Sequence, residues 1–210
     1  MTSRRHPRPR VPHRLPGPTE GLAIGLLGGS FDPPHAGHAH LIDTARRRLG
    51  LDYIWIVPAA GNPLKRTATS FGDRLDAARR KLSERRTLVS SIESDLGSIY
   101  TIDTLRHLKR LAPRARFVWL IGADNLDQFH RWRRWAEIAR LIPMAVVARP
   151  GASPKAGLSP FARRFSAHRL PTGAGAALPD APTPAWIYLT APFDSHSSSE
   201  IRAGHKKTRT

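Results

Sequence analysis

The chain has 210 residues, 40% of them hydrophobic and 24% charged, a composition that suits a globular domain with a sizeable core and excludes wholesale disorder. No apolar run approaches the ~18 residues that cross a bilayer, and the absence of cysteine excludes disulfides, thiolate nucleophiles and Cys-ligated metal sites together. The 34 Lys and Arg against 16 Asp and Glu give a formal charge of +18, which taken alone points to polyanionic partners, nucleic acid first.

That charge is uneven. Residues 1–20 hold five Arg and five Pro against the single acid Glu20, and 205–210 add three bases. The remainder, 21–204, carries 26 bases and 15 acids, a charge of +11. With few large apolar side chains, 1–20 cannot repay the entropy of ordering and is expected to be a disordered, Pro-rich basic tail. Residues 205–210 form a second basic tail.

In chain order, 21–27 is an apolar run ending at Gly28-Gly29 and reads as a buried strand. Residues 36–49 read as a helix that Gly50 stops. The β-branched and aromatic run 53–57 is a second strand, closed by Pro58, and 61–70 a loop. A helix over 73–85 and a short strand over 87–90 follow. Apolar residues at helical spacing over 102–111 predict a helix that Pro113 ends. Residues 117–121 are a strand, 126–140 a helix interrupted near His130, and 143–148 another strand. The Gly-, Pro- and Ala-rich stretch 149–184 is expected to be a long surface excursion, with a short helix near 161–167. A last strand over 186–189 and a terminal helical turn over 198–204 complete the domain, which spans 21–204.

Strands alternating with helices at this rhythm imply an α/β fold: a Rossmann-like, doubly wound, mostly parallel sheet with helices on both faces. Ligands of such sheets bind beyond the carboxyl ends of the strands. The first of those loops reads Gly28-Gly29-Ser30-Phe31-Asp32-Pro33-Pro34-His35-Ala36-Gly37-His38. Two glycines admit close approach of a ligand to backbone, and a helix N-terminus carrying two imidazoles offers hydrogen-bond donors and partial positive charge to a phosphate. The loop has neither a Walker Gly-Lys-Ser/Thr nor a Gly-x-Gly-x-x-Gly pattern. The spacing of His35, His38 and His40 matches no closed zinc site, so no protein-held metal is expected.

The whole segment resembles the (H/T)xGH signature of the nucleotidylyltransferase superfamily. Near the C-terminus, His196-Ser197-Ser198-Ser199-Glu200-Ile201-Arg202 resembles its second signature, Ile-Ser-Ser-Thr-x-Ile-Arg, with His196 in place of Ile and Ser199 in place of Thr. Three further segments resemble the nicotinate-nucleotide adenylyltransferases. They are Asn62-Pro63-Leu64-Lys65, Tyr100-Thr101-Ile102-Asp103-Thr104-Leu105, and Ile121-Gly122-Ala123-Asp124-Asn125 followed by Trp132.

The resemblance implies a transfer of the adenylyl group of ATP to nicotinate mononucleotide, giving deamido-NAD and pyrophosphate. It implies that His35 and His38 contact the ATP phosphates, with His38 at the α-phosphate, and that Gly28, Gly29, Ser30 and Phe31 line the same region. Arg202 with Ser198 and Ser199 would hold the β/γ end, and Asp124 the adenosine ribose, with Gly122 allowing close approach. Trp132 would stack on the nicotinate ring, Tyr100 and Thr101 would lie near its carboxylate, and Lys65 would favour the anionic groups. Trp55, Trp119, Trp135 and Trp186 read as packing, Asp32 as a turn cap, and Arg133 and Arg134 as a solvated helix face. The implied cofactor is Mg2+, bound mainly through ATP. The implied setting is cytoplasmic, with no membrane and no nucleic acid as partner, and with a homo-oligomer left open.

Overall fold

The apolar runs become the middle of one sheet because each is buried on both faces, the environment of a parallel strand with crossover helices above and below. The computed structural model describes residues 15–61, 67–148 and 158–190. Strands β1 (Ala23–Gly29), β2 (Tyr53–Pro58), β3 (Thr87–Val89), β4 (Arg116–Gly122), β5 (Met144–Ala148), β6 (Arg169–Leu170) and β7 (Trp186–Thr190) stand in the order β3-β2-β1-β4-β5-β7-β6. Every pairing is parallel.

Helices α1 (Ala36–Leu49), α2 (Phe71–Leu82), α3 (Ile92–Leu96), α4 (Thr101–Leu111), α5 (Ala123–Phe129), α6 (Trp135–Leu141) and α7 (Pro160–Arg164) cover the sheet. Side chains alternate along each strand, so the core has two halves. Ile24 and Leu26 of β1, Trp55 of β2 and Trp119 of β4 pack with α3 to α7. Ala23 and Leu27, Ile54 and Ile56, and Val118 and Leu120 pack on the other face with α1 and α2. The sheet is doubly wound, as the alternation of elements implies. No helix among the described residues is long and apolar enough to cross a membrane.

Several boundaries differ from the sequence reading for identifiable reasons. Helix α2 starts two residues early because the Ser70 hydroxyl accepts the Asp73 N–H and caps it. The five-residue α3 is too short to show a period, and Gly97, at φ 61°, ends it. The break near His130 separates α5 from α6, with Arg134 in the left-handed region at φ 54° just before α6. Gly50 ends α1 as the pattern predicts, at φ 61°.

Two larger expectations require correction. Residues 15–20 lie against the sheet rather than in a disordered tail. Leu15 packs on the core, a Cβ at Gly17 would sit 2.5 Å from Leu88, and Glu20 pairs with Arg114. The described part of the supposed excursion, 158–184, contributes to both halves of the core. Phe161 and Phe165 are buried against Trp186, whose Nε1 donates to Phe165 O at 2.7 Å, and Leu178 is buried under the opposite face. The 3-10 turn Thr172–Asp180 lacks the 3.6-residue period that would have signalled this packing.

Candidate functional site

Strand β1 pairs with β2 on one side and β4 on the other, and the chain winds away from it over opposite faces of the sheet. The carboxyl ends of β1 and β4 therefore splay their following loops apart, and a crevice is left between them. A cleft of about 560 Å³ opens there, lined by the β1–α1 loop, the start of α4, the end of β4 and the α5–α6 connection.

The loop after β1 is organised by two histidines. His35 is the N-cap of α1: its Nδ1 accepts the Gly37 N–H at 3.1 Å, while the His35 N–H donates to His38 Nδ1 at 3.2 Å. This is a capping box in which both side chains are imidazoles. An Nδ1 that accepts an N–H carries no proton, so in each ring the proton resides on Nε2. The rings pack at a 37° tilt with centroids 4.0 Å apart, and His38 also packs 4.6 Å from Phe31, which is buried at φ 51°. Cap and ring packing together fix two N–H donors at a helix N-terminus that faces the cleft.

Gly28 is required for a different reason from the one the sequence suggests. A Cβ there would lie 2.3 Å from Cη2 of Trp119, so the glycine admits an indole from β4, which itself lines the cleft.

Behind the loop, two buried ionisable side chains tie the strand ends together. Arg74 of α2 is 2% exposed, and its Nη1 donates to Ser30 O at 2.7 Å and to Ala59 O at 2.9 Å. Glu93 of α3 is 4% exposed and accepts the Ala60 N–H at 3.2 Å. Burial pushes its carboxyl up to about 7, against the Ala60 N–H, the Thr104 hydroxyl and the Arg74 charge, which favour ionisation. Asp32 holds the loop before α2: it accepts from the Thr69 hydroxyl at 2.7 Å and from the Ala68 N–H at 2.6 Å, and these bonds lower its pKa.

Part of the cleft wall is aromatic. Trp132, in the α5–α6 connection, is half-buried, with edge contacts to Phe129 at 5.3 Å and Trp119 at 6.3 Å. Tyr100, which caps α4 without a side-chain hydrogen bond, and Thr101, the first residue of that helix, line the same cleft.

The arrangement has known relatives. The Cytidylyltransferase-like family model matches residues 26–204. A protein of Cereibacter sphaeroides named "Probable nicotinate-nucleotide adenylyltransferase" is 47% identical over 87% of this chain and 97% of its own length. One of the same name from Caulobacter sp. strain K31 is 48% identical over 89% of this chain and its whole length. The chain belongs to the cytidylyltransferase-like family, among its nicotinate-nucleotide adenylyltransferases. A structure of the Plasmodium falciparum nicotinic acid mononucleotide adenylyltransferase, complexed with NaAD, shares the fold with a TM-score of 0.60. It is 19% identical and covers 90% of this chain and 86% of that one.

In this adenylyltransferase family member, eleven of the residues singled out from sequence line the one cleft. Gly28, Gly29, Ser30, Phe31, His35 and His38 come from the β1–α1 segment, Gly122 and Asp124 from the end of β4 and start of α5, and Tyr100, Thr101 and Trp132 from the aromatic part of the wall. Lys65, Ser198, Ser199 and Arg202 lie outside the described residues, as do Asn62-Pro63-Leu64 and the segment around His196. His40 lies elsewhere, in a separate small groove beside Asp43 and Arg46.

Sequence reasoning missed Arg74, Glu93 and the cleft position of Arg131 and Arg133. Arg74 and Glu93 each have one apolar immediate neighbour, Leu75 beside Arg74 and Ile92 beside Glu93, and a polar one on the other side, so nothing in the local pattern marks the charged side chain itself as buried. Only the packing of α2 and α3 against the strand ends does so.

Proposed function

We propose that the protein joins ATP and nicotinate mononucleotide to give deamido-NAD and pyrophosphate, by direct in-line attack of the mononucleotide phosphate on the α-phosphorus. The single observation that carries this reading is the reciprocal His35–His38 cap at the mouth of α1, in one cleft with Trp132 and the start of α4. The nucleophile needs no base, because a phosphate monoester is largely ionised near neutral pH, its second pKa being about 6. Catalysis then consists of alignment and of stabilising charge on the phosphoryl oxygens.

In this reading the Nε2–H groups of His35 and His38 meet the ATP phosphates, His38 at the α-phosphate where charge develops. The Gly28–Phe31 backbone and Ser30 line that end, and Arg202, Ser198 and Ser199 hold the departing pyrophosphate. Asp124 and Gly122 take the adenosine, Trp132 stacks on the nicotinate ring, and Lys65 draws the mononucleotide's anionic groups. Among the described residues no cluster of three His, Asp or Glu could hold a metal ion, and Asp32 is occupied by Thr69 and Ala68. In this reading Mg2+ would be held mainly through ATP. Bound there, Mg2+ would neutralise phosphate charge.

Pyrophosphate release from ATP, measured with nicotinate mononucleotide and with phosphopantetheine as acceptors, tests the reading. Turnover of the mononucleotide is expected. Turnover of phosphopantetheine alone would replace the acceptor.

A further inference from the structure

The α5–α6 connection carries three consecutive features, Trp132, Arg133 and Arg134, and the structure separates their roles. Arg134 turns to Glu137 at 3.5 Å, an acid it shares with Arg106. Arg133 does not join that cluster. Its guanidinium carbon lies 4.5 Å over the centre of the Tyr100 ring, it lines the cleft, and it makes no ion pair among the described residues. Tyr100 is the residue that opens α4, so this cation stands at the aromatic part of the cleft wall, beside a helix N-terminus and next to Trp132 in the chain. The two-histidine cap, read above as the phosphate site, lines the same cleft.

We propose that Arg133 is a specificity-determining residue that reads the charge on the pyridine ring substituent, selecting a carboxylate over a carboxamide. The inference rests on the reading of the cleft as a mononucleotide adenylyltransferase site. Stacking on Trp132 cannot make this distinction, since nicotinate and nicotinamide rings present the same face. A fixed cation can, because the two substituents differ by one negative charge. A guanidinium resting on an aromatic face keeps its N–H edge for in-plane acceptors, and a carboxylate matches that fork with two oxygens where an amide offers one. The α4 N-terminus adds partial positive charge at the same place. Arg133 is exposed, so its removal has little to disturb in the core.

The test compares kcat/KM for nicotinate and nicotinamide mononucleotides in the full-length protein and in Arg133→Gln. The wild-type protein is expected to prefer the acid, and the variant to lose at least tenfold of that preference through a higher KM for the acid. An unchanged preference overturns the assignment. So does an equal rise in KM for both mononucleotides, which would place Arg133 on the phosphate they share. Should the Gln variant fail to fold, Arg133→Ala is read in the same way, because it too removes the cation, and an unchanged preference there is again fatal. A wild-type protein that uses neither mononucleotide refutes the functional reading itself. One that prefers the acid while the variant does so equally refutes only the role of Arg133.

Discussion

His38 does two jobs with two nitrogens. Its Nδ1 closes the cap on the His35 N–H, and that bond places the proton on Nε2. Replacing it should therefore separate a small structural effect from a large chemical one. His38→Ala is expected to cost about 0.5–1 kcal/mol of stability, the worth of half a cap, and to lower turnover about 100- to 1000-fold, the usual loss when one preorganised donor to a transition-state oxyanion is removed. Turnover and thermal unfolding measured on the same variant check both, and near-wild-type turnover would remove His38 from the chemistry. The motif made these histidines conspicuous. Their mutual cap was not readable, because an imidazole at an N-cap follows no common capping preference.

At the scale of elements, the cleft depends on loops held from behind. Arg74 and Glu93 bind backbone of the β1–α1 and β2–α2 loops, so the strand ends are fixed by side chains from α2 and α3. Glu93 makes this arrangement sensitive to pH. Its carboxyl titrates near 4.5 ordinarily and about 7 in the folded protein. Between those values the folded chain keeps a proton that the unfolded chain has lost, so stability falls as pH rises from about 4.5 to 7. Glu93→Gln, which stays neutral and can still accept from Ala60, should flatten that decline by up to roughly 3 kcal/mol. Urea unfolding at pH 5 and pH 8 measures it, and a decline of wild-type size in the variant would assign the pH dependence to other groups.

The segment before β7 gives a second prediction at this scale. Phe161 is 1% exposed and packs between Phe129 and Trp186. Phe161→Ala is expected to cost about 3–5 kcal/mol, as for a core aromatic. A loss below about 1 kcal/mol in urea unfolding would return the segment to the surface. Composition misled here because Gly, Pro and Ala outnumber the two phenylalanines that do the packing.

For the whole molecule, the +18 charge divides between the domain and its ends. Residues 1–14 contain five Arg and no acid. At physiological ionic strength exposed charges act over only about 8 Å. On the sequence reading of 1–14 as a solvated tail, deleting it is expected to leave the KM for ATP within about twofold of wild type, and a tenfold rise would put those arginines in the path of the substrate.

Six of the seven strands, in their order of appearance, and eleven residues that line the cleft were legible in the chain, while the two-residue β6 lay inside the stretch read as a surface excursion. Apolar runs buried on both faces admit few alternatives to a parallel sheet, and Gly28 to His38 is a contiguous segment whose chemistry is local. What tertiary structure decided is everything that depends on elements meeting. Trp119 claims the space beside Gly28, and Arg74 and Glu93 are buried because two helices close over them. Arg133, though exposed, lies over Tyr100, since the α5–α6 connection and the start of α4 converge on one cleft. Local spacing specifies which face a side chain occupies, but which neighbour fills that face is settled only when the sheet assembles.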